Sequence, residues 1–219
     1  MSKNKIGWRG QKLGYQDVVE TASELEKKVL IVCALEKETQ GQLDDYEVLY
    51  TGVGKVNATY ALATHFGKYG SYIPYDLVIN YGTAGSRKHS IGELVDCTKF
   101  IQRDMDVSVL GFEKYETPFE DYVSKKIDFS TFANNPINCL LTCATGDSFM
   151  NSDDSHVGDV VDMESYALAK VCLKFDISFI AFKYISDSAD KDASNDWAKN
   201  LKKGQKLFKK TVLDLLDLY

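Results

Sequence analysis

Between residues 29 and 185 the chain returns six times to a short, nearly uninterrupted apolar run, at 29–35, 46–50, 77–81, 94–101, 138–143 and 177–185. Their continuous, β-branched character predicts strands buried on both faces. Stretches at 55–67, 163–175 and 194–218 instead carry apolar residues at three- and four-residue spacing, which predicts helices with one face on a core. Strand and helix alternate, so the pattern predicts an α/β fold: a twisted, mainly parallel or mixed sheet with helices on both faces. The first 28 residues are polar, carry Gly7, Gly10 and Gly14, and then read YQDVVETASELEKK. We read 1–28 as an N-terminal extension with one helix and 29–219 as a single domain, an ordinary size for this class. The least patterned stretch, 111–136, contains Pro118 and Pro136 and predicts a loop-rich excursion, partly mobile or placed at an interface.

Composition narrows the function. With 44% hydrophobic and 26% charged residues the chain can bury a full core, which excludes disordered and fibrous classes. The net charge is −6 and the lysines are scattered except near Lys202, so no basic stripe is available for nucleic acid. No apolar run approaches the ~20 residues of a membrane span and MSKNKIGWRGQKLG has no signal core, so the expected place is the cytoplasm, with no membrane partner. Cys33, Cys97, Cys139, Cys143 and Cys172 show no C-x-x-C spacing and read as reduced core residues. His65, His89 and His156 have no metal-ligand spacing, so no metal or cofactor is expected. The C-terminal KKGQKLFKKTVLDLLDLY is amphipathic, and its apolar stripe reads as a face packed on the sheet.

Candidate chemistry clusters at strand ends. Two glycine turns, TGVGK at 51–55 and NYGTAGS at 80–86, follow strands, where open α/β sheets bind small molecules. Neither is a phosphate-cradling motif. Carboxylates occur at comparable places: Glu36 and Glu38, Asp162 and Glu164, Asp187 and Asp190. Singly, each could cap or charge a helix start. Three strands delivering carboxylates to one sheet edge would be repulsive unless a site used them.

The segments CALEKE, TGVGKVNA, NYGTAGS, DMDVSVLGFEKYETP, ATGDSF, VDMESYALAKVC and YISDSAD, in that order, resemble the nucleoside phosphorylase and nucleosidase superfamily. Within it they are most similar to bacterial 5'-methylthioadenosine/S-adenosylhomocysteine nucleosidases. The resemblance implies a three-layer α/β/α fold around a twisted mixed sheet and a homodimer whose partner completes the active site. It also implies hydrolysis of the N-glycosidic bond of a 5'-substituted adenosine, with adenine released. By this resemblance Asp187 is the acid that protonates the leaving purine, Glu38 activates the attacking water, and Glu164 with Met163 holds the ribose hydroxyls. Phe149 would pack on the adenine, the Met150 backbone would read its edge, and Gly85 would supply a backbone contact. Leu35, Val53, Val107 and Phe112 match positions around the ribose and its 5' substituent. Thr83 and Lys183 complete the implied substrate set, and Leu110 and Pro118 match residues offered across the dimer. Lys183 stands where these nucleosidases carry arginine, and the stretch 38–48 is shorter than theirs.

The chemistry asks for the same residue types independently. Cleaving a ribosyl C–N bond leaves an oxocarbenium-like sugar and a purine that departs well only when protonated, so an acid, a base for water and anionic groups near the sugar are all useful. A phosphate nucleophile would need amide nests or arginine forks. The turn after the first strand offers Glu36 and Glu38 instead, and the chain has three arginines, Arg9, Arg87 and Arg103. Hydrolysis is therefore favoured over phosphorolysis. A phosphate-dependent phosphorylase, and a catalytically silent nucleoside-binding protein on the same fold, are the alternatives.

Overall fold

The computed structural model describes residues 28–120, 125–131, 135–150 and 157–217. The helix expected in the extension lies outside them, as does His156. Among the described residues the strands are β1 (Val29–Cys33), β2 (Val48–Tyr50), β3 (Leu77–Gly85), β4 (Leu94–Gln102), β5 (Ile127–Asp128), β6 (Leu141–Thr145), β7 (Val160–Asp162) and β8 (Ser178–Asp187). The helices are α1 (Lys55–Gly67), α2 (Ser165–Lys174), α3 (Ala193–Asn200) and α4 (Gln205–Leu216).

All eight strands join one mixed sheet. β1 lies parallel between β2 and β3, β3 runs parallel to β8, and β8 pairs antiparallel with β4. β4 continues parallel into β6 and β6 into β7. β7 then meets β3 antiparallel through Gly85 and Val161, which closes β3, β8, β4, β6 and β7 into a ring. This closure brings the start of the 162–164 segment to the end of β3.

The period-two alternation of strand side chains splits the core into two layers. Leu30, Val32, Val78 and Phe179 face Ala58, Leu62 and Phe66 of α1 and Leu168 and Cys172 of α2. Ile31, Ile79, Tyr81 and Phe182 face Phe208, Val212 and Leu215 of α4, with the Tyr81 and Phe208 rings stacked at 4.0 Å. Helices thus cover both faces, as the alternating pattern predicts, and the C-terminal stripe packs on the sheet.

The structure departs from the pattern in particular places. The continuous helix expected at 194–218 is two helices, α3 and α4, and 218–219 lie outside the described residues. Gly204 sits at the break, where an added Cβ would lie 2.5 Å from Cγ of Tyr184, so the chain there is pressed against β8. The strand expected at 138–143 begins only at Leu141, because Asn138 and Leu140 take φ of 60° and 56°, outside strand geometry. β5 and β7, at two and three residues, are too short to carry a period. Cys33, Cys97, Cys143 and Cys172 are buried thiols as expected, whereas Cys139 is exposed. Residues 111–120 hold neither strand nor helix. No helix among the described residues is long and apolar enough to cross a membrane.

Candidate active site

β1, β3 and β8 are parallel and end at the same edge, where the residues after β1 and the last residues of β3 and β8 line one cavity of about 380 Å³. After β1 the chain turns through a short 3-10 helix, Glu36–Glu38, which folds the Glu38 side chain back over its own start. Its Oε2 accepts the Leu35 N–H at 3.0 Å. Oε1 accepts the Thr83 N–H at 3.1 Å and the Thr83 hydroxyl at 3.4 Å. Glu38 is buried, and that burial pushes its pKa above the usual glutamate range despite these donors and the nearby Lys183 charge.

β7 delivers the second carboxylate. Glu164 is buried, and its Oε1 accepts the Gly54 N–H at 2.8 Å. Gly54 has φ of 92°, which glycine adopts without strain, and so the TGVGK turn aims an amide into the site at the start of α1. Burial, and next the neighbouring Asp162, raise the Glu164 pKa to about 7. Asp162 itself is pinned. Lys183 Nζ donates to its Oδ2 at 2.8 Å, Thr145 Oγ1 to its Oδ1 at 2.6 Å, and the Ser165 N–H to Oδ2 at 2.9 Å. Burial opposes both charges of this pair, but their mutual attraction prevails: Asp162 is held well below the usual carboxylate range and Lys183 above the usual lysine range.

β8 supplies the third. Asp187 Oδ2 accepts the Ser186 hydroxyl at 2.8 Å and Oδ1 accepts the Ala189 N–H at 3.0 Å. Burial, aided by the charges of Asp190 and Asp196, raises its pKa. The carboxylate lies directly on Gly85, where a Cβ would come 2.5 Å from Oδ1, so NYGTAGS, which is not the turn expected but the end of β3, needs glycine at this point.

Ten residues proposed for the site from sequence therefore line one cavity: Leu35, Glu38, Val53, Thr83, Gly85, Phe149, Met150, Met163, Glu164 and Asp187. Five do not. Lys183 is fully buried behind the wall and pairs with Asp162, so it does not reach the substrate space. Val107 and Phe112 also fall outside the lining: their segment leaves the sheet after β4, and Phe112 packs edge-on against Phe119 at 5.4 Å. Leu110, 70% exposed, and Pro118 belong to the same segment and are not part of this cavity's lining. Of the other strand-end acids, Asp162 joins the lining, Glu36 is exposed, and Asp190 accepts the Asp192 N–H in the turn before α3.

Among the wall residues that sequence reasoning missed are two with large side chains. Arg103, at the end of β4, lies on Gly146 and donates to the Ser148 hydroxyl at 3.2 Å and to the Ser148 carbonyl. Trp197 reaches the cavity from α3, and the signal for it was one large aromatic within the polar run ASNDWAKN. The described residues hold no cluster of three or more His, Cys, Asp or Glu able to bind a metal.

The site is thus a mostly apolar cavity sized for a small molecule, with carboxylates at several points of its wall. Comparison with known proteins supplies the family. The family model of the phosphorylase superfamily matches residues 17–217. A 5'-methylthioadenosine/S-adenosylhomocysteine nucleosidase (MTAN) of Bacillus velezensis is 31% identical over 199 residues, covering 81% of this chain and 84% of that protein. Among solved structures, an MTAN variant of Helicobacter pylori with 5'-methylthioadenosine in the active site superposes with a TM-score of 0.75 at 22% identity, covering 88% of this chain and 99% of the other. The futalosine hydrolase of Helicobacter pylori strain 26695 gives 0.74 at 21% identity over 89% of this chain and 99% of that one. These two likenesses show the shared fold. Cavity, sheet and sequence match lead to one statement of kinship: the chain belongs to the phosphorylase superfamily.

Proposed function

We propose that this protein is a purine nucleosidase that hydrolyses the N-glycosidic bond of a 5'-substituted adenosine, of the 5'-methylthioadenosine or S-adenosylhomocysteine type, and releases adenine. The observation that carries the reading is the set of carboxylates Glu38, Glu164 and Asp187 around one cavity, with the buried cation nearest Glu38, Lys183, already paired to Asp162. In this scheme Asp187, its pKa raised, keeps a proton for N7 of the purine and delivers it as the C–N bond breaks. Glu38 accepts a proton from the water that attacks the sugar carbon. Glu164 holds the ribose hydroxyls and its charge offsets the positive charge developing on the ring. Phe149 packs on the base, and Met150 and Gly85 contact it through the backbone.

Hydrolysis rather than phosphorolysis follows from the charge beside Glu38. A dianion placed there would meet a buried carboxylate, and the arginine that lines the cavity, Arg103, is held on the 146–148 turn. We expect free adenine and a free 5'-substituted ribose from both nucleosides in phosphate-free buffer, measured by chromatography of the products. Strict dependence on added phosphate with a ribose 1-phosphate product would sink the hydrolase reading, and binding of nucleoside without base release would establish a silent binder.

The working unit we propose is a homodimer. Val109 and Phe119, 92% and 91% exposed, stand with Leu110 on a segment outside the lining of the cavity, and Val56 and Tyr60 on α1 are 78% and 72% exposed. Large apolar side chains so placed suit a protein interface. The 107–118 segment, including Val107, Leu110, Phe112 and Pro118, would then close the partner's 5' pocket. Light scattering should give the mass of two chains, and Leu110→Ala should raise KM with kcat little changed. A fully active monomer at nanomolar concentration contradicts this. The free thiols suit a reducing compartment, and we place the reaction in the cytoplasm.

A further inference from the structure

The wall residue Trp197 does more than line the cavity. Its indole N–H donates to Thr83 Oγ1 at 2.9 Å, and that same oxygen lies 3.4 Å from Glu38 Oε1. The polarity of this chain is fixed by chemistry. An indole N–H can only donate and a carboxylate can only accept, while a threonine hydroxyl has one hydrogen and two lone pairs. With a lone pair of Oγ1 taken by the indole, the hydroxyl hydrogen is directed to Glu38. The helix that presents the indole is itself anchored: Asn200, three residues on and so on the same face, is buried and donates to the Ser186 carbonyl at 2.9 Å.

We infer that Trp197 is a positioning residue for the water-activating carboxylate, acting through the Thr83 hydroxyl to fix the direction of Glu38. The inference rests on the nucleosidase reading for its effect on turnover, although the hydrogen-bond relay itself does not. Without the indole N–H, the Thr83 hydroxyl is free to turn toward other acceptors, and Glu38 Oε1 keeps only the Thr83 backbone donor. Glu38 is faced by Lys183 from β8, Cys33 from β1, Tyr81 from β3 and Glu164 beyond β7, none of which changes in a Trp197 variant. A lost donor disfavours the charged form, so the acid limb of the rate profile moves to higher pH.

Trp197→Phe keeps an aromatic ring in the wall and removes the donor along with part of the indole's bulk, and the Thr83→Val background separates the two. We expect kcat to fall about 3- to 10-fold, KM to stay within about twofold, and the acid limb of kcat/KM to move upward by a few tenths of a pH unit. In a Thr83→Val background the same change should have no further effect on kcat, because the relay is already cut. A second readout needs no turnover. In 15N-labelled protein the Trp197 indole resonance should shift with pH in wild type and lose that dependence in Glu38→Gln. If this resonance behaves as expected but no adenine is released, the relay stands and the nucleosidase reading falls. Wild-type kcat and acid limb in Trp197→Phe, full additivity with Thr83→Val, or an indole resonance indifferent to Glu38 each overturn the inference.

Discussion

Replacing Asp187 with asparagine is expected to lower kcat by about 10²- to 10⁴-fold and to leave KM within about threefold. The substitution suits the site sterically. Oδ1 would still accept the Ala189 N–H, and the new amide can donate to the Ser186 hydroxyl, which accepts as readily as it donates. The side chain stays flat on Gly85, where nothing larger fits. What disappears is the transferable proton, whose hold on the native carboxyl burial strengthens. A substrate whose base departs without protonation should therefore recover part of the lost rate. Asp190 is the control. Its carboxylate accepts the Asp192 N–H in the turn before α3, so Asp190→Ala should cost about 1 kcal/mol of stability and little activity. Near-native turnover by Asp187→Asn, with loss in Asp190→Asn instead, would assign the proton to a different carboxyl.

Legibility in the sequence followed the length and locality of each signal. β8 and the first half of β3 could be read from continuous apolar composition, but β3 runs on to Gly85, so NYGTAGS, expected as a turn after the strand, is for the most part strand. β7 could not be read, since three residues carry no period, and yet its pairing with Gly85 is what sets Asp162 and Glu164 against the ends of β3 and β8. Glu38 and Asp187 were legible because one follows and the other closes a strong strand, and Glu164 because it stands where an apolar pair meets a helix. Their environments were not: that Gly54 donates to Glu164, or that Lys183 is committed to Asp162 and does not enter the cavity, depends on contacts across 110 and 21 positions of chain. Trp197 and Arg103 escaped for the same reason. Each is an ordinary residue of its element, given a role only by what the fold sets opposite it. Val107 and Phe112 show the converse: the resemblance carries them to the site, and within this chain they fall outside the cavity lining.

Glu38→Gln should also lower kcat by about 10²- to 10⁴-fold, the range for a lost general base, but with a different signature. Every group bonded to this carboxylate is a donor: the Leu35 N–H at Oε2, and the Thr83 N–H and hydroxyl at Oε1. Whichever way a glutamine amide is turned, its NH₂ faces at least one of these donors. The variant therefore loses the base and also leaves buried hydrogen-bonding groups opposed, at a cost of about 1–3 kcal/mol of stability. Asp187→Asn has no such penalty, so the two variants should separate in thermal melts while resembling one another in turnover. The pH profile distinguishes them further. Glu38 acts as a carboxylate, so its raised pKa places the acid limb of kcat/KM above the ordinary glutamate range. Asp187 acts as the acid, so its ionisation shapes the alkaline limb. Glu164, raised to about 7 in the same cluster, shares the acid limb, and the apparent value there belongs to the interacting carboxylates together. In Glu38→Gln the acid limb should become shallower and follow Glu164 alone, whereas the alkaline limb should remain. An acid limb of unchanged position and steepness in Glu38→Gln would show that the water is activated by another group, with Glu164 then the nearest carboxylate to test.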